Sequence, residues 1–335
     1  ATLEPERCIN NKYVDYVAIR EGENSILELV ESLEDDGAID ISDVKSIIYK
    51  NGKEVIKNEE FGYIKNLDLY PLIKFDFLEE SKGSLVNIAT SRGCPARCIY
   101  CSAGALAGSK YRVRQIENVY LETILRNLDS NYLKSIYIID DTFTVFRKRV
   151  QDFTNYIEKY GIKMTWACES RVDVMTEELI FSMAKSGCID IQYGIESGSQ
   201  KVLDGIKKNI NLEKAKEVIR WTYEAGMTIT MSFMIGHYCD TKDTLNDTIN
   251  FIKELYEKYQ EQTNIAVCYN TPFPGTYQYE HREELGLRLL DERYDMMTLG
   301  NPIVETNNFT LADLRNAYFD TLQYTREVRR GEFGS

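Results

Sequence analysis

The chain has few histidines and no second closely spaced pair of cysteines. Its 335 residues include only two histidines, His237 and His281, and both lie far downstream of the cysteine-rich segment. A structural zinc site needs four nitrogen or sulfur ligands, usually from two paired turns, so this sequence does not predict one. The chain also has no run of about 18 apolar residues and no signal-peptide pattern, which predicts a cytoplasmic protein without a membrane span.

Positive charge is scarce as well. The sequence has 40 Lys and Arg against 53 Asp and Glu, a formal net charge of −13. Because nucleic acids and anionic membranes attract basic surfaces, we expect neither as the main partner. No glycine-rich phosphate loop follows a predicted strand, since the segment from Gly194 to Gly198 lacks the Lys-Ser/Thr of a P-loop. We expect a small-molecule substrate or a biosynthetic intermediate as the partner.

Three of the eight cysteines, Cys94, Cys98 and Cys101, lie in one short stretch with the spacing C-x3-C-x2-C. Three thiolates suit a 4Fe–4S cluster with one open iron, where a substrate or cofactor can coordinate. A non-catalytic iron–sulfur or zinc module, with a distant fourth ligand such as His237, is the alternative. The other cysteines are scattered through apolar or strand-like sequence, which indicates reduced, buried thiols. They are Cys8, Cys168, Cys188, Cys239 and Cys268.

From residue 84 onward the sequence repeats a short β-branched run, a loop and an amphipathic helix. Six such units predict a parallel α/β sheet with right-handed crossovers, either doubly wound or a partial barrel. The candidate site residues follow the strands, where α/β barrels keep their active sites, so we favour the barrel. The predicted strands are 85–90, 135–139, 164–168, 189–195, 228–235 and 265–269, and the main helices are 116–128, 150–160, 177–185, 212–224 and 241–259.

The segment from Thr90 to Ser102 closely resembles the motif of the radical S-adenosylmethionine (radical SAM) family. The resemblance covers residues 84–309 and implies a TIM-like partial (β/α)6 barrel. In that family the open iron chelates the amino and carboxylate groups of SAM. One electron then cleaves SAM to methionine and a 5′-deoxyadenosyl radical. The resemblance implies a low-potential electron donor such as flavodoxin or ferredoxin.

Several residues take a role from this resemblance. Tyr100 would pack near the SAM adenine, or serve ordinary packing. Asp140 and Asp141 follow the second strand and, with Phe143, match the Asp-Asp-x-Phe of a cobalamin-dependent subclass. One of the two carboxylates would hold the SAM amino group. A helix cap or a metal site is the alternative role for such a pair.

Arg171, after the third strand, could pair with Asp173 on the surface or meet the SAM carboxylate. Glu196 and Ser197 follow the fourth strand in a segment that resembles the family's ribose motif, in which a carboxylate accepts the ribose hydroxyls. A plain helix cap would explain the serine alone. His237 stands where relatives usually have a Gly-x-Pro-Gly-Glu-Thr turn, and a lone histidine there is more often solvent-facing.

Residues 1–80 predict one strand over 13–19, one helix over 25–33 and a hairpin at Asn51-Gly52. They resemble the trailing part of a Rossmann-like cobalamin-binding domain, plus a connector, whose earlier strands and cobalt-ligating loop the sequence does not contain. The core barrel is expected over 84–280 and a C-terminal extension over 281–330. Residues 331–335 resemble a cloning-vector remnant.

The function implied by the resemblance is that of a cobalamin-dependent methyltransferase acting on an unactivated carbon. SAM would serve twice, as radical source and as methyl donor through methylcobalamin. The alternatives are a methylthiotransferase or sulfur-inserting enzyme, which carries a second cluster on three more cysteines, and another radical rearrangement.

Overall fold

The computed structural model describes residues 1–34, 39–71, 85–129 and 135–330. The predicted hairpin is present, and its first strand, β2 (Ile47–Asn51), pairs both with its second strand, β3 (Glu54–Lys57), and with β1 (Tyr16–Ala18), which gives a three-stranded antiparallel sheet in the order β1-β2-β3. The turn between β2 and β3 uses Gly52 at φ +63°. The elements of this N-terminal unit are α1 (Pro5–Ile9), β1 (Tyr16–Ala18), α2 (Glu23–Leu33), β2 (Ile47–Asn51) and β3 (Glu54–Lys57).

A six-stranded parallel sheet forms the centre of the molecule. Its strands are β4 (Leu85–Ile88), β7 (Ser135–Ile138), β8 (Thr165–Ser170), β9 (Cys188–Glu196), β10 (Thr228–Ile235) and β11 (Thr263–Tyr269). They lie side by side in chain order, each parallel to the next. A doubly wound sheet would reverse its strand order at a switch point, so the predicted partial barrel is confirmed.

Helices connect these strands and cover one face of the sheet. Thr176, Asn211 and Thr241 cap the helices after β8, β9 and β10 with their side chains. The remaining elements are α3 (Ala103–Ala107), α4 (Ile116–Asp129), α5 (Arg147–Tyr160), α6 (Glu177–Lys185), α7 (Gln200–Gly205), α8 (Leu212–Glu224), α9 (Lys242–Tyr259), α10 (Tyr277–Glu280) and α11 (Leu311–Arg330), with the short strands β5 (Ser91–Arg92), β6 (Arg112–Val113), β12 (Arg288–Leu289) and β13 (Val304–Glu305).

The two faces of the sheet differ in polarity because successive side chains of a strand point to opposite sides. One face is apolar and packs with the helices into the main core, through residues such as Ile138, Trp166, Ile191, Met231 and Phe233. The other face carries the alternate positions, and these are mostly polar or small. They include Tyr137, Glu169, Asp190, Gln192, Gly194, Thr230 and Ser232.

The C-terminal extension closes one side of the sheet. Leu314 of α11 is fully buried against Ile235 and Tyr269 at the ends of β10 and β11. The connector expected at Leu67–Pro71 contains one short 3-10 turn, Leu67–Leu69, and Leu67 is buried. Residues 72–84 and the expected remnant 331–335 lie outside the described residues. Within the described ranges, none of the helices combines the length and apolar character needed to cross a membrane.

Candidate functional site

A cavity of about 740 Å³ opens at the carboxyl ends of the central strands. It is lined by the cysteine loop, the strand-end loops and the turn after β11. The cavity brings together most of the predicted site residues, namely Cys94, Cys98, Tyr100, Cys101, Asp141, Arg171 and Glu196. Two predicted residues, Asp140 and Ser197, are not part of its lining.

The three cysteines line this cavity from one loop. The pKa of Cys101 is raised because protein atoms surround part of its thiol, although the residue keeps exposed surface, and the neighbouring thiols of Cys98 and Cys94 raise it further. Polar hydrogens already face two of the sulfurs, since the Ala103 amide lies 3.5 Å from Sγ of Cys101 and Arg171 lies 3.6 Å from Sγ of Cys98. Metal coordination would remove the proton of a ligating thiol, and three thiols beside one cavity fit a cluster with an open iron.

The thiols line the cavity without converging on one point. In the part of the chain that the structure describes, no three His, Cys, Asp or Glu side chains are arranged to hold a single metal ion. The fit to a cluster therefore depends on the number, spacing and shared cavity of the thiols.

Asp140 anchors the start of the cysteine loop. Its carboxylate accepts hydrogen bonds from the amides of Thr90 and Ser91, at 2.6 and 2.9 Å, and from both hydroxyls. The residue is buried, and burial raises its pKa although these four bonds oppose the rise. Both carboxylate oxygens are thus used inside the fold, and Asp140 is not placed to receive the SAM amino group.

Asp141 is oriented differently from its neighbour. Its side chain is exposed to the cavity, and Oδ2 accepts one hydrogen bond from the Gly93 amide at 3.1 Å. The helix-cap interpretation of the pair is wrong, because α5 begins only at Arg147 and its N-cap residue, Phe146, makes no side-chain cap. Asp141 is therefore the carboxylate of the pair that faces the cavity.

Glu196 forms a buried ion pair that the sequence did not predict. Lys208 Nζ lies 2.8 Å from Glu196 Oε1, and both side chains are about nine-tenths buried. Burial disfavours ionisation of Glu196, but Lys208 and a hydrogen bond from Tyr100 outweigh it and lower its pKa. A Cβ atom at Gly194 would lie 2.6 Å from Glu196 Oε1 and 2.9 Å from Lys208 Nζ, so a larger residue there would displace the ion pair.

Glu196 adopts a left-handed backbone conformation, with φ +71°. This conformation is uncommon outside glycine, and such outliers cluster at functional sites. Ser197, by contrast, is turned into the fold. Its Oγ lies 3.1 Å from Thr248 Oγ1 and accepts the Ser199 amide at 3.1 Å, so it joins the α7 start to α9 rather than facing the cavity.

Arg171 is buried, so the interpretation as a surface pair is wrong. It still binds Asp173, with Nε 2.9 Å from Oδ1, and it also donates to the Lys208 carbonyl at 2.6 Å. The guanidinium group is thus held in the wall of the cavity, and its Nη1 faces the sulfur of Cys98.

The expectation of a solvent-facing His237 is also wrong. The ring is fully buried, and its centroid lies 5.2 Å from that of Tyr100. Within the described residues neither ring nitrogen has a hydrogen-bond partner. Burial lowers its pKa to about 4. The chain turns at Gly236, which has φ +93°. The His237 ring then packs against Tyr100 of the cysteine loop.

Glu169, which sequence reasoning left without a role, points from β8 into the cavity. It accepts a hydrogen bond from the hydroxyl of Tyr137 at 3.3 Å. Its pKa is raised by burial and by the nearby charges of Asp141 and Glu196. A carboxylate with a perturbed pKa in a cavity is able to form a hydrogen bond to a bound molecule.

Known proteins are similar to this chain in sequence. An uncharacterized methyltransferase of Pyrococcus horikoshii is 30% identical over 327 residues, which cover 95% of this chain and 69% of that protein. A Methanocaldococcus jannaschii protein assigned as a methylthiotransferase is 29% identical, over 81% of this chain and 59% of its own length. The chain thus spans about three fifths to two thirds of these relatives.

The fold is shared with a solved enzyme. The radical SAM methyltransferase TsrM from Kitasatospora setae, whose structure contains cobalamin and a 4Fe–4S cluster, superposes with a TM-score of 0.73. The match covers 90% of this chain and 60% of TsrM at 16% identity. A sequence model of the radical SAM superfamily matches residues 88–252. The chain therefore belongs to the radical SAM superfamily.

Proposed function

We propose that this chain is the catalytic core of a cobalamin-dependent radical SAM methyltransferase. The observation that carries the proposal is the shared cavity, into which the three thiols and the carboxylates of Asp141 and Glu196 all open. Three thiols can hold a 4Fe–4S cluster, and the two carboxylates can bind the ammonium and the ribose of SAM. With SAM bound, the cluster supplies the electron that cleaves it to methionine and a 5′-deoxyadenosyl radical.

The residues around the cavity have separate tasks in this proposal. Asp141 accepts the SAM ammonium, because its side chain faces the cavity and has only one internal donor. Glu196 accepts the ribose hydroxyls, since Lys208 keeps it ionised and its carboxylate borders the cavity. Tyr100 covers the adenine side, where His237 supports its ring.

The N-terminal unit supports the cobalamin part of the proposal. One face of α2 exposes four apolar side chains, each more than half exposed: Ile26, Leu27, Val30 and Leu33. A contiguous exposed apolar patch of this kind commonly marks a contact surface. We assign it to contact with the remainder of a cobalamin-binding domain, so that residues 1–80 are the trailing part of that domain plus the connector, and 84–280 are the barrel.

The polar face of the sheet favours a polar small-molecule substrate. Below the SAM site the cavity is lined by Glu169, Gln192 and Ser232. A carboxylate, an amide and a hydroxyl on adjacent strands would be left unpaired by a wholly apolar substrate, at a cost for each buried group. A substrate with hydrogen-bond donors avoids that cost.

Charge around the cysteine loop supports an acidic electron donor. Cys101 is exposed, and the exposed side chains of Arg97, Lys110 and Lys207 lie on the segments that surround it, although the chain is acidic as a whole. Opposite charge steers protein association. An acidic, low-potential electron donor in the cytoplasm, such as flavodoxin or ferredoxin, would match these basic side chains.

The methylthiotransferase alternative needs a second group of three cysteines. Cys168 and Cys188 are buried on the helix-facing side of the sheet, where their thiols contact each other. The Cys239 thiol instead packs against the α7 carbonyl of Val202, at 3.8 Å. None of these three sulfurs belongs to the cavity lining, so methyl transfer is the better supported reaction.

The first experiment tests the cluster and SAM cleavage. Anaerobically reconstituted protein should contain about four irons and four sulfides per chain, and with dithionite it should release 5′-deoxyadenosine from SAM. Replacing Cys94, Cys98 and Cys101 with Ala should abolish both, whereas a Cys8→Ala/Cys239→Ala control should keep both. Iron retained in the triple variant would refute the site.

A second experiment tests cobalamin. Hydroxocobalamin titrated into this chain should bind weakly or not at all, because the earlier strands of a cobalamin domain are needed. An N-terminally extended protein should bind it stoichiometrically. An extended protein that binds none would leave radical SAM cleavage in place and exclude the cobalamin assignment.

A further inference from the structure

Arg171 is held by two groups, the carboxylate of Asp173 and the carbonyl of Lys208, and it presents its remaining N–H groups to a cysteine sulfur. Nε and Nη2 bind the two carboxylate oxygens of Asp173 at 2.9 and 3.1 Å, and Nη2 also donates to the carbonyl of Lys208. Nη1 lies 3.6 Å from Sγ of Cys98. The side chain is about one-tenth exposed, so little solvent screens these contacts.

This arrangement leaves no guanidinium fork for the SAM carboxylate. A bidentate grip needs two parallel N–H groups on one edge, and Asp173 already occupies the edge formed by Nε and Nη2. The Lys208 carbonyl fixes the end of the group, and only Nη1 faces the cysteine loop. The direction of that N–H is therefore set by the Asp173 carboxylate and the Lys208 carbonyl.

We propose that Arg171 is a positioning residue for the iron–sulfur cluster, and that its N–H donation to the Cys98 sulfur raises the cluster's reduction potential. The proposal rests on the cluster assignment of the proposed function. A reduced cluster carries one more negative charge than the oxidised one, so a buried cation with a hydrogen bond to a ligating sulfur favours the reduced form. The carboxylate of Asp173 opposes this effect.

The two partners of the pair should therefore shift the potential in opposite directions. The test is a redox titration of the reconstituted protein without SAM, followed by the electron paramagnetic resonance of the reduced cluster. In Arg171→Gln, the ratio of reduced to oxidised cluster at a fixed potential should fall about tenfold, which is about 59 mV for a one-electron couple. In Asp173→Asn the ratio should rise, and Arg171→Lys should lie between Arg171→Gln and the wild type.

An exposed pair of the same kind provides the control. Arg220 and Glu224 form an ion pair on α8, with both side chains nearly half exposed, and Arg220→Gln and Glu224→Gln should leave the potential unchanged. Wild-type protein without iron would refute the proposed function rather than this inference. Loaded Arg171→Gln and Arg171→Lys that titrate at the wild-type potential would overturn the inference, most clearly if SAM binds them more weakly. If Arg171→Gln loses its cluster, an unshifted Asp173→Asn would overturn it.

Discussion

The ammonium of Lys208 lies 2.8 Å from a carboxylate oxygen of Glu196, and the two side chains form a buried ion pair beside the cavity. Lys208 reaches this position because the loop after α7 folds against the cysteine loop, where the Ile99 amide donates to the Ile206 carbonyl at 3.1 Å. The pair keeps Glu196 ionised despite its burial. It therefore connects the ribose side of the site to the loop that carries the cysteines.

The first prediction concerns SAM affinity. Glu196→Gln should keep the cluster but weaken SAM binding, because a charge-assisted acceptor becomes a neutral amide. Losing one such bond costs about 1.5–3 kcal/mol, roughly tenfold to hundredfold in the dissociation constant. Equilibrium binding of SAM to the reconstituted protein measures this. An unchanged dissociation constant would remove Glu196 from the ribose site.

The second prediction concerns the cost of breaking the pair. Lys208→Met should lower the free energy of unfolding by about 3–5 kcal/mol, because it leaves a buried carboxylate without its partner. The double variant Glu196→Gln/Lys208→Met should recover much of that loss, since no charge is then left unpaired. Urea unfolding of Lys208→Met, of Glu196→Gln/Lys208→Met and of the wild type measures both effects. A double variant that is less stable than Lys208→Met would show that the two side chains do not couple.

The third prediction separates two adjacent aspartates. Asp140→Asn should lower the free energy of unfolding by about 1.5–3 kcal/mol, because the amide cannot accept all the bonds from Thr90 and Ser91. Asp141→Asn should leave stability nearly unchanged and weaken SAM binding about tenfold. Unfolding curves and SAM titrations of both variants test the contrast. Equal effects on SAM would indicate that the two carboxylates act together.

Much of the barrel could be predicted because local patterns and capping residues agree there. The predicted bounds of α6, α8 and β10 match the structure residue for residue, since β-branched runs and helical periodicity end at glycines or side-chain caps. The N-terminal sheet was not predicted as a whole. Its strands β1 and β2 pair antiparallel across about 30 residues of chain, with Val17 opposite Ile48, and that register depends on tertiary packing.

The site residues that belong to short sequence motifs could be predicted. Those whose role depends on long-range contacts could not. The cysteine spacing and the Gly194–Ser199 segment identified residues that line the cavity. Lys208 carries no local pattern that separates it from a surface lysine, and its role follows only from the fold. The burial of His237 likewise results from packing against Tyr100, which lies 137 positions earlier in the sequence.

The final prediction concerns pH and uses two buried groups three positions apart, His237 and Asp240. Burial lowers the pKa of His237 to about 4 from 6.5. Below pH 6.5 the unfolded chain therefore binds a proton that the folded chain does not, and stability is lost down to about pH 4. Burial raises the pKa of Asp240 to about 6 from 3.8, despite its bonds from the His237 and Gly236 amides. The folded chain then binds the extra proton, and stability is gained below about pH 6.

The two contributions should nearly cancel in the wild type, because each amounts to about 3 kcal/mol over the same window. Asp240→Asn removes the gain that Asp240 contributes and leaves the loss that His237 causes, so the stability of this variant relative to the wild type should fall on acidification from pH 7 to 4. His237→Leu removes the loss and leaves the gain, so its stability relative to the wild type should rise. Urea unfolding at pH 7, 6, 5 and 4 measures the differences between variants, which removes the background of surface carboxylates. Parallel curves for all three proteins would mean that neither group titrates differently in the folded and unfolded chains.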